Sequence, residues 1–141
     1  MAAAVAAVLG STPSAIAKEL PDLVIAVADL KSTGQCDGRG PAISGSITVK
    51  NAGAGRGLIF TTRDMLRITV RGRPRLSAGF KFVNSMAPGH TQRVPVSLGA
   101  GSGPHKPGRL TVDITVDPRN VFEESNKRNN RMRMHVTMVC R

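Results

Sequence analysis

Val116-Asp117-Pro118-Arg119-Asn120-Val121-Phe122-Glu123-Glu124-Ser125-Asn126-Lys127-Arg128-Asn129-Asn130 is a polar segment held between two alternating runs. Before it, Leu110, Val112, Ile114 and Val116 alternate with Thr111, Asp113 and Thr115. After it, Met132, Met134, Val136 and Met138 alternate with Arg131, Arg133, His135 and Thr137. Two period-2 runs flanking a Pro/Asn/Ser segment read as paired antiparallel strands joined by a structured loop.

The same pattern recurs upstream. Leu23 to Leu30 reads as a first strand, and Ile43, Gly45, Ile47 and Val49 alternate with Ser44, Ser46, Thr48 and Lys50 in a second, with the apolar set buried. Leu66, Ile68 and Val70 mark a third strand, and Phe80, Phe82 and Val83 a fourth. Val94, Val96 and Leu98 alternate with Arg93, Pro95 and Ser97 in a fifth; Pro95 donates no backbone hydrogen bond, which places that strand at an edge or at a bulge. Gly- and Pro-bearing turns separate these runs, and no window beyond residue 17 sustains a 3.6-residue apolar period. Seven short strands predict an all-β, antiparallel β-sandwich. A chain of 141 residues without an internal linker predicts one domain, over 18–141.

Residues 1–17 contain no charged side chain, run apolar from Ala2 to Leu9, and end in Ala15-Ile16-Ala17. This predicts a secretory signal peptide cut after Ala17, and hence a periplasmic or secreted protein. No later stretch approaches the length of a transmembrane helix. In an oxidising compartment the two cysteines, Cys36 and Cys140, predict one disulfide, with two free thiols as the alternative.

Twenty Lys and Arg against nine Asp and Glu give a formal charge of +11, which favours anionic partners. Arg63, Arg67, Arg71, Arg73 and Arg75 face Asp64 alone over their span. Arg67, Thr69 and Arg71 share the strand face opposite Leu66, Ile68 and Val70, predicting a basic outer stripe continued by Arg73 and Arg75. Such a stripe binds carboxylate or phosphate, or simply solvates the sheet and guards it against edge pairing. Nucleic acid is disfavoured by the scarcity of aromatic stacking platforms, 3% of the chain, although Phe60, Phe80 and Phe82 lie near the arginines.

Asp117, Asn120, Glu123, Glu124 and Asn126 carry oxygens that suit a hard cation such as Ca²⁺. Against this, Arg119, Lys127 and Arg128 crowd the same stretch, and Asp117-Pro118-Arg119-Asn120 suits a type I turn stabilised by local side-chain bonds. Met132, Met134, His135, Met138 and Cys140 offer Cu(I) ligands, but strand parity sends His135 to the face opposite the methionines, which read better as core. His90, His105 and His135 stand without a nucleophile motif or metal spacing, and Gly99-Ala100-Gly101-Ser102-Gly103 is not a nucleophile elbow. No enzymatic activity and no cofactor are expected.

Four segments in order resemble the bacterial cell-adhesion-related domain, CARDB: Pro21-Asp22-Leu23-Val24-Ile25; Val49-Lys50-Asn51-Ala52-Gly53, similar to its V-x-N-x-G turn; Met86-Ala87-Pro88-Gly89, similar to its L-x-P-G turn; and Pro107-Gly108 followed by Asp117-Pro118-x-Asn120, Glu124-Ser125-Asn126 and Asn129-Asn130. The resemblance covers roughly 21–139 and departs from the family at Lys127-Arg128 and in the basic segment 56–75. It implies an immunoglobulin-like fold and a noncatalytic extracytoplasmic interaction or adhesion module. An envelope protein or an anionic envelope polymer is the expected partner.

Overall fold

The computed structural model describes residues 18–56, 65–81 and 85–141. The expected signal peptide, Phe60, Arg63, Phe82 and Val83 lie outside the described residues. Seven strands form: β1 (Leu23–Ser32), β2 (Ile43–Asn51), β3 (Leu66–Val70), β4 (Ala78–Phe80), β5 (Thr91–Leu98), β6 (Gly108–Val116) and β7 (Arg131–Met138). They make two sheets, ordered β1-β2-β5 and β4-β3-β6-β7, with every pairing antiparallel. The fold is an immunoglobulin-like β-sandwich. Pro95 does lie on an edge strand, β5.

The inward sets of both sheets meet in one core. Ile43, Ile47 and Val49 face Leu66, Ile68, Val112, Ile114 and Val116, all of them fully buried. Each such side chain contributes about 1.5–3 kcal/mol of transfer free energy. Met138 completes the core, with Met132 and Met134 packed at its margin. Methionine fills here the space that aromatics usually take.

Three details depart from the alternation read in the sequence. In β1 the pairing shifts between Ile25 and Val27, and this bulge reverses the buried parity, from Leu23 and Ile25 to Ala28 and Leu30. Val27 is left 55% exposed. The strand also runs on past Leu30, because Ser32 still pairs with Ile43. The described fourth strand is earlier than expected, since Ala78 and Phe80 are the residues that pair with Ile68 and Leu66 of β3. In β2, Ser46 is buried although it belongs to the outward set, because the Arg93 guanidinium donates to its hydroxyl at 2.9 Å and lies over it.

Cys36, in the β1–β2 loop, is disulfide-bonded to Cys140, just beyond β7, and so joins the two sheets at one pole. The same pole is closed by hydrogen bonds from Val139 N to Ser32 Oγ at 3.0 Å and from Arg141 N to Gly34 O at 2.9 Å.

Candidate anion-binding face

The order β3-β6-β7 determines which outward side chains become neighbours. Arg67, Thr115 and Arg131 fall in one row across the sheet; Thr69, Asp113 and Arg133 fall in the next. Arg109 stands beside Thr137 further along. With strands about 4.8 Å apart and residues of one face about 6.8 Å apart, the arginines form a lattice roughly 10 Å wide across the strands and about 20 Å long. Among the described residues of the four strands of this sheet, β4 included, Asp113 is the sole acidic one.

Asp113 organises the middle of this lattice. Its Oδ1 accepts from Arg133 Nε at 2.7 Å and its Oδ2 from Arg71 Nε at 3.1 Å. The Arg133 hydrogen bond is the largest influence on its carboxyl and, with that of Arg71, holds it below the ordinary carboxylate range despite partial burial. Two guanidinium forks are thereby fixed in place, each with further N–H donors to spend. A shallow depression of about 400 Å³ lies between β6 and β7, lined by Asp113, Thr115, Arg131 and Arg133 over Ile114 and Met132.

Arg73 and Arg75 do not extend the stripe. The chain turns at Gly72 (φ +69°) into a short 3-10 turn, Pro74–Leu76, whose Leu76 is anchored in the core. Arg73 Nη1 then donates to Lys106 O and Arg75 Nη1 to Ser102 O, both at 3.2 Å, across to the β5–β6 loop. The alternation of β3 stops at the turn, so its parity says nothing about side chains beyond it. Arg109, Arg131 and Arg133 were the missed members of the face. Their outward parity was visible in the sequence, but their adjacency to β3 depends on long-range pairing.

The Asp117–Asn130 loop is a clamp on the start of β1. Asn120 N donates to Asp117 O at 3.0 Å, closing the turn over Pro118 and Arg119. Both Asp117 and Asn120 adopt positive φ, 48° and 56°, which Asp and Asn tolerate better than most residues. Asp117 Oδ1 and Oδ2 accept from Val121 N and Phe122 N at 2.9 and 3.0 Å. Glu124 is buried and accepts from Leu23 N and from Asn130 Nδ2, both at 2.8 Å. Ser125 N donates to Pro21 O at 3.0 Å, and Asn129 Nδ2 to Asp22 Oδ1 at 2.9 Å. Turning both Asn amides toward carboxylates leaves Asn129 Oδ1 and Asn130 Oδ1 buried without a protein partner. Lys127 donates to Asn120 Oδ1, Lys18 to Glu123 Oε2, and Arg128 N to Asn126 Oδ1.

Burial pushes the Glu124 carboxyl upward, against the two hydrogen bonds that lower it. A raised carboxyl favours the folded state below its unfolded value, near 4.5, and loses that contribution as pH rises through the folded value. Glu124→Gln keeps an acceptor for Leu23 N, and an Asn130 flip presents its oxygen to the new amide. The variant is expected to fold and to lose this fall in stability with rising pH, read as melting temperature against pH. A pH profile identical to that of the unmodified chain contradicts the assignment.

The copper ligand set is divided by the sandwich. His135 lies on the outer face with Nδ1 3.4 Å from Thr111 Oγ1, the methionines lie on the inner side, and Cys140 is in the disulfide. His105 shares a 2.6 Å contact with Ser102 Oγ, which also bonds Gly99 O at 2.6 Å, closing the β5–β6 loop on itself.

The CARDB family model matches residues 20–134, from the lead-in to β1 through the first half of β7. The chain belongs to the CARDB family. Solved structures similar to it include the CARDB domain of a Pyrococcus furiosus protein in complex with di-metal ions, at 20% identity and TM-score 0.56, covering 89% of this chain and 100% of that one. A solution structure of the same Pyrococcus domain matches at 22% identity and TM-score 0.55, covering 88% and 100%. A domain of a Methanosarcina acetivorans protein assigned to the cell surface matches at 20% identity and TM-score 0.55, covering 85% and 93%. Among curated proteins none matches. The V-x-N-x-G turn of this CARDB domain has a physical basis in Asn51, which is fully buried and bonds four backbone groups. Among the described residues no helix is long and apolar enough to cross a membrane.

Proposed function

We propose that this CARDB domain is a noncatalytic binding module of the periplasm or cell exterior. In this reading its outer β3-β6-β7 face engages an anionic envelope polymer or the acidic surface of an envelope protein. The observation that carries the reading is the gathering of Arg67, Arg71, Arg131 and Arg133 on one face about the carboxylate of Asp113, two of them bonded to it, with Arg109 further along the same face. Side chains already held by Asp113 lose less freedom when a ligand arrives, and guanidinium forks match carboxylate and phosphate oxygens. The Methanosarcina neighbour's cell-surface assignment supports the location.

The di-metal complex of the Pyrococcus domain does not transfer to the loop oxygens of this chain. Asp117, Asn120, Glu123, Glu124 and Asn126 all have oxygens engaged by protein donors, two of them by lysine ammonium groups. A cation there would have to displace those donors beside Lys127 and Lys18.

Binding to soluble polygalacturonate, a linear polyanion, tests the face. Two exposed charges contribute up to about 1 kcal/mol each, so Arg131→Ser with Arg133→Ser is expected to weaken binding about tenfold near 0.15 M salt. The charge-matched control Arg39→Ser with Arg128→Ser, both exposed and off the face, should retain affinity. Equal losses in the two variants would show that net charge alone, not this face, governs binding.

A further inference from the structure

The arginines that leave the stripe build a second basic site. At the disulfide pole, the β3–β4 turn and the β5–β6 loop flank a cavity of about 310 Å³, lined by Arg73, Pro74, Arg75, Pro104, His105 and Lys106. No Asp or Glu occurs between Asp64 and Asp113 in the sequence, so neither wall carries a carboxylate of its own. Among the residues lining the cavity, basic groups face one another without an acidic one.

Both walls are held in place before any ligand arrives. Leu76, fully buried, fastens the first wall to the core, and Leu76 N bonds Arg73 O at 3.0 Å. The second wall is tied by His105 N to Cys36 O at 2.7 Å, beside the disulfide, and by the Ser102–His105 contact. The two guanidinium groups pin the walls together through the Lys106 and Ser102 carbonyls. Each of those bonds uses one of the five donors of a guanidinium, leaving donors for an incoming oxyanion. Gly103 turns this wall at φ +83°, a backbone conformation that glycine adopts without strain.

We propose that this cavity is a subsite for one acidic sugar unit, a uronate or a sugar phosphate. Its oxyanion is taken by Arg73, Arg75 and Lys106, and its apolar ring face by Pro74 and Pro104. The volume stands at the lower end of the roughly 300–1,000 Å³ typical of ligand sites, room for one ring. Apolar walls with a few converging polar groups are the usual composition of such sites. The outer-face reading is not needed for this inference, since the two sites share no residue.

Amide chemical-shift titration of the intact chain tests it, with glucuronate and glucose 6-phosphate as probes and glucose and inorganic phosphate as controls. Saturable shifts at Gly72, Arg75, His105 and Lys106 are expected with at least one acidic sugar, and the tighter of the two identifies the anion. Lys106→Gln should weaken that binding about tenfold, the scale of one lost charge-assisted hydrogen bond, and Lys106→Gln with Arg73→Gln should weaken it further. Arg131→Ser with Arg133→Ser should leave it unchanged. The proposal is overturned if shifts fail to saturate, if inorganic phosphate binds as tightly as both sugars, or if Lys106→Gln with Arg73→Gln binds as the unmodified chain does.

Discussion

Asn51→Ala should destabilise the domain by about 3–4 kcal/mol, because it strands two buried and two half-buried backbone groups, a buried one costing about 1–3 kcal/mol when unpaired. Asn51 Oδ1 accepts from Asp22 N at 3.1 Å and Gly53 N at 3.0 Å; its Nδ2 donates to Gly55 O at 2.7 Å and Met86 O at 2.9 Å. One side chain thus joins the lead-in to β1, the turn after β2 and the approach to β5. Water entering the space left by the amide recovers part of the loss, which keeps the figure below the full sum. For a chain of this size the melting temperature should fall by more than about 10 °C. Asn51→Asp should be nearly as damaging, since a carboxylate cannot donate to the Gly55 and Met86 carbonyls. A loss under about 1 kcal/mol would mean that neighbouring backbone bonds, such as Ala52 N to Asp22 O, hold this end unaided.

Cys36→Ser with Cys140→Ser is the second large effect. The bond closes a separation of 104 residues, and the chain-entropy account assigns up to about 4.7 kcal/mol to a loop of that size. The hydrogen bonds of Ser32, Val139, Gly34 and Arg141 persist at the same pole, so the folded state should keep its shape while the unfolded state gains freedom. Reversible urea unfolding should show a lower midpoint with a larger slope, as a less constrained unfolded chain exposes more surface. Unchanged midpoints would place the bond's role elsewhere than in stability.

The strands were legible where alternation is local. The β6–loop–β7 unit, the edge position of Pro95 and the inward methionines all follow from period 2 and from the chemistry of proline. Period 2 assigns a residue to a face but not to a neighbour, and here the sequence reading stopped. Arg67 and Arg131 come into one row because β3 pairs with β6 and β6 with β7, pairings fixed by core packing between segments far apart in sequence. The clamp of Glu124 on Leu23 spans 101 residues and has no local signature. Arg73 and Arg75, expected to continue the stripe from the turn, instead donate to the Lys106 and Ser102 carbonyls, long-range contacts that no local pattern signals. The bulge in β1 was hidden because Val27 and Ala28 are both apolar, so the parity reversal leaves no mark in composition.

The disulfide also dictates how the domain bears load. Lys18 lies at the pole of Glu123, and Arg141 at the opposite pole, beside Gly34. Tension applied at Lys18 and at Arg141 travels along β1 to Cys36, crosses the sulfur bridge to Cys140, and leaves. Residues 37–139 hang off this path as an unloaded loop. Within 18–141, only 18–36, about 60 Å of contour, and 140–141 lie on the loaded path, against about 400 Å for the whole span with the bridge reduced. Under oxidising conditions the domain is therefore a nearly inextensible link, and both basic sites lie in the part that force cannot unravel.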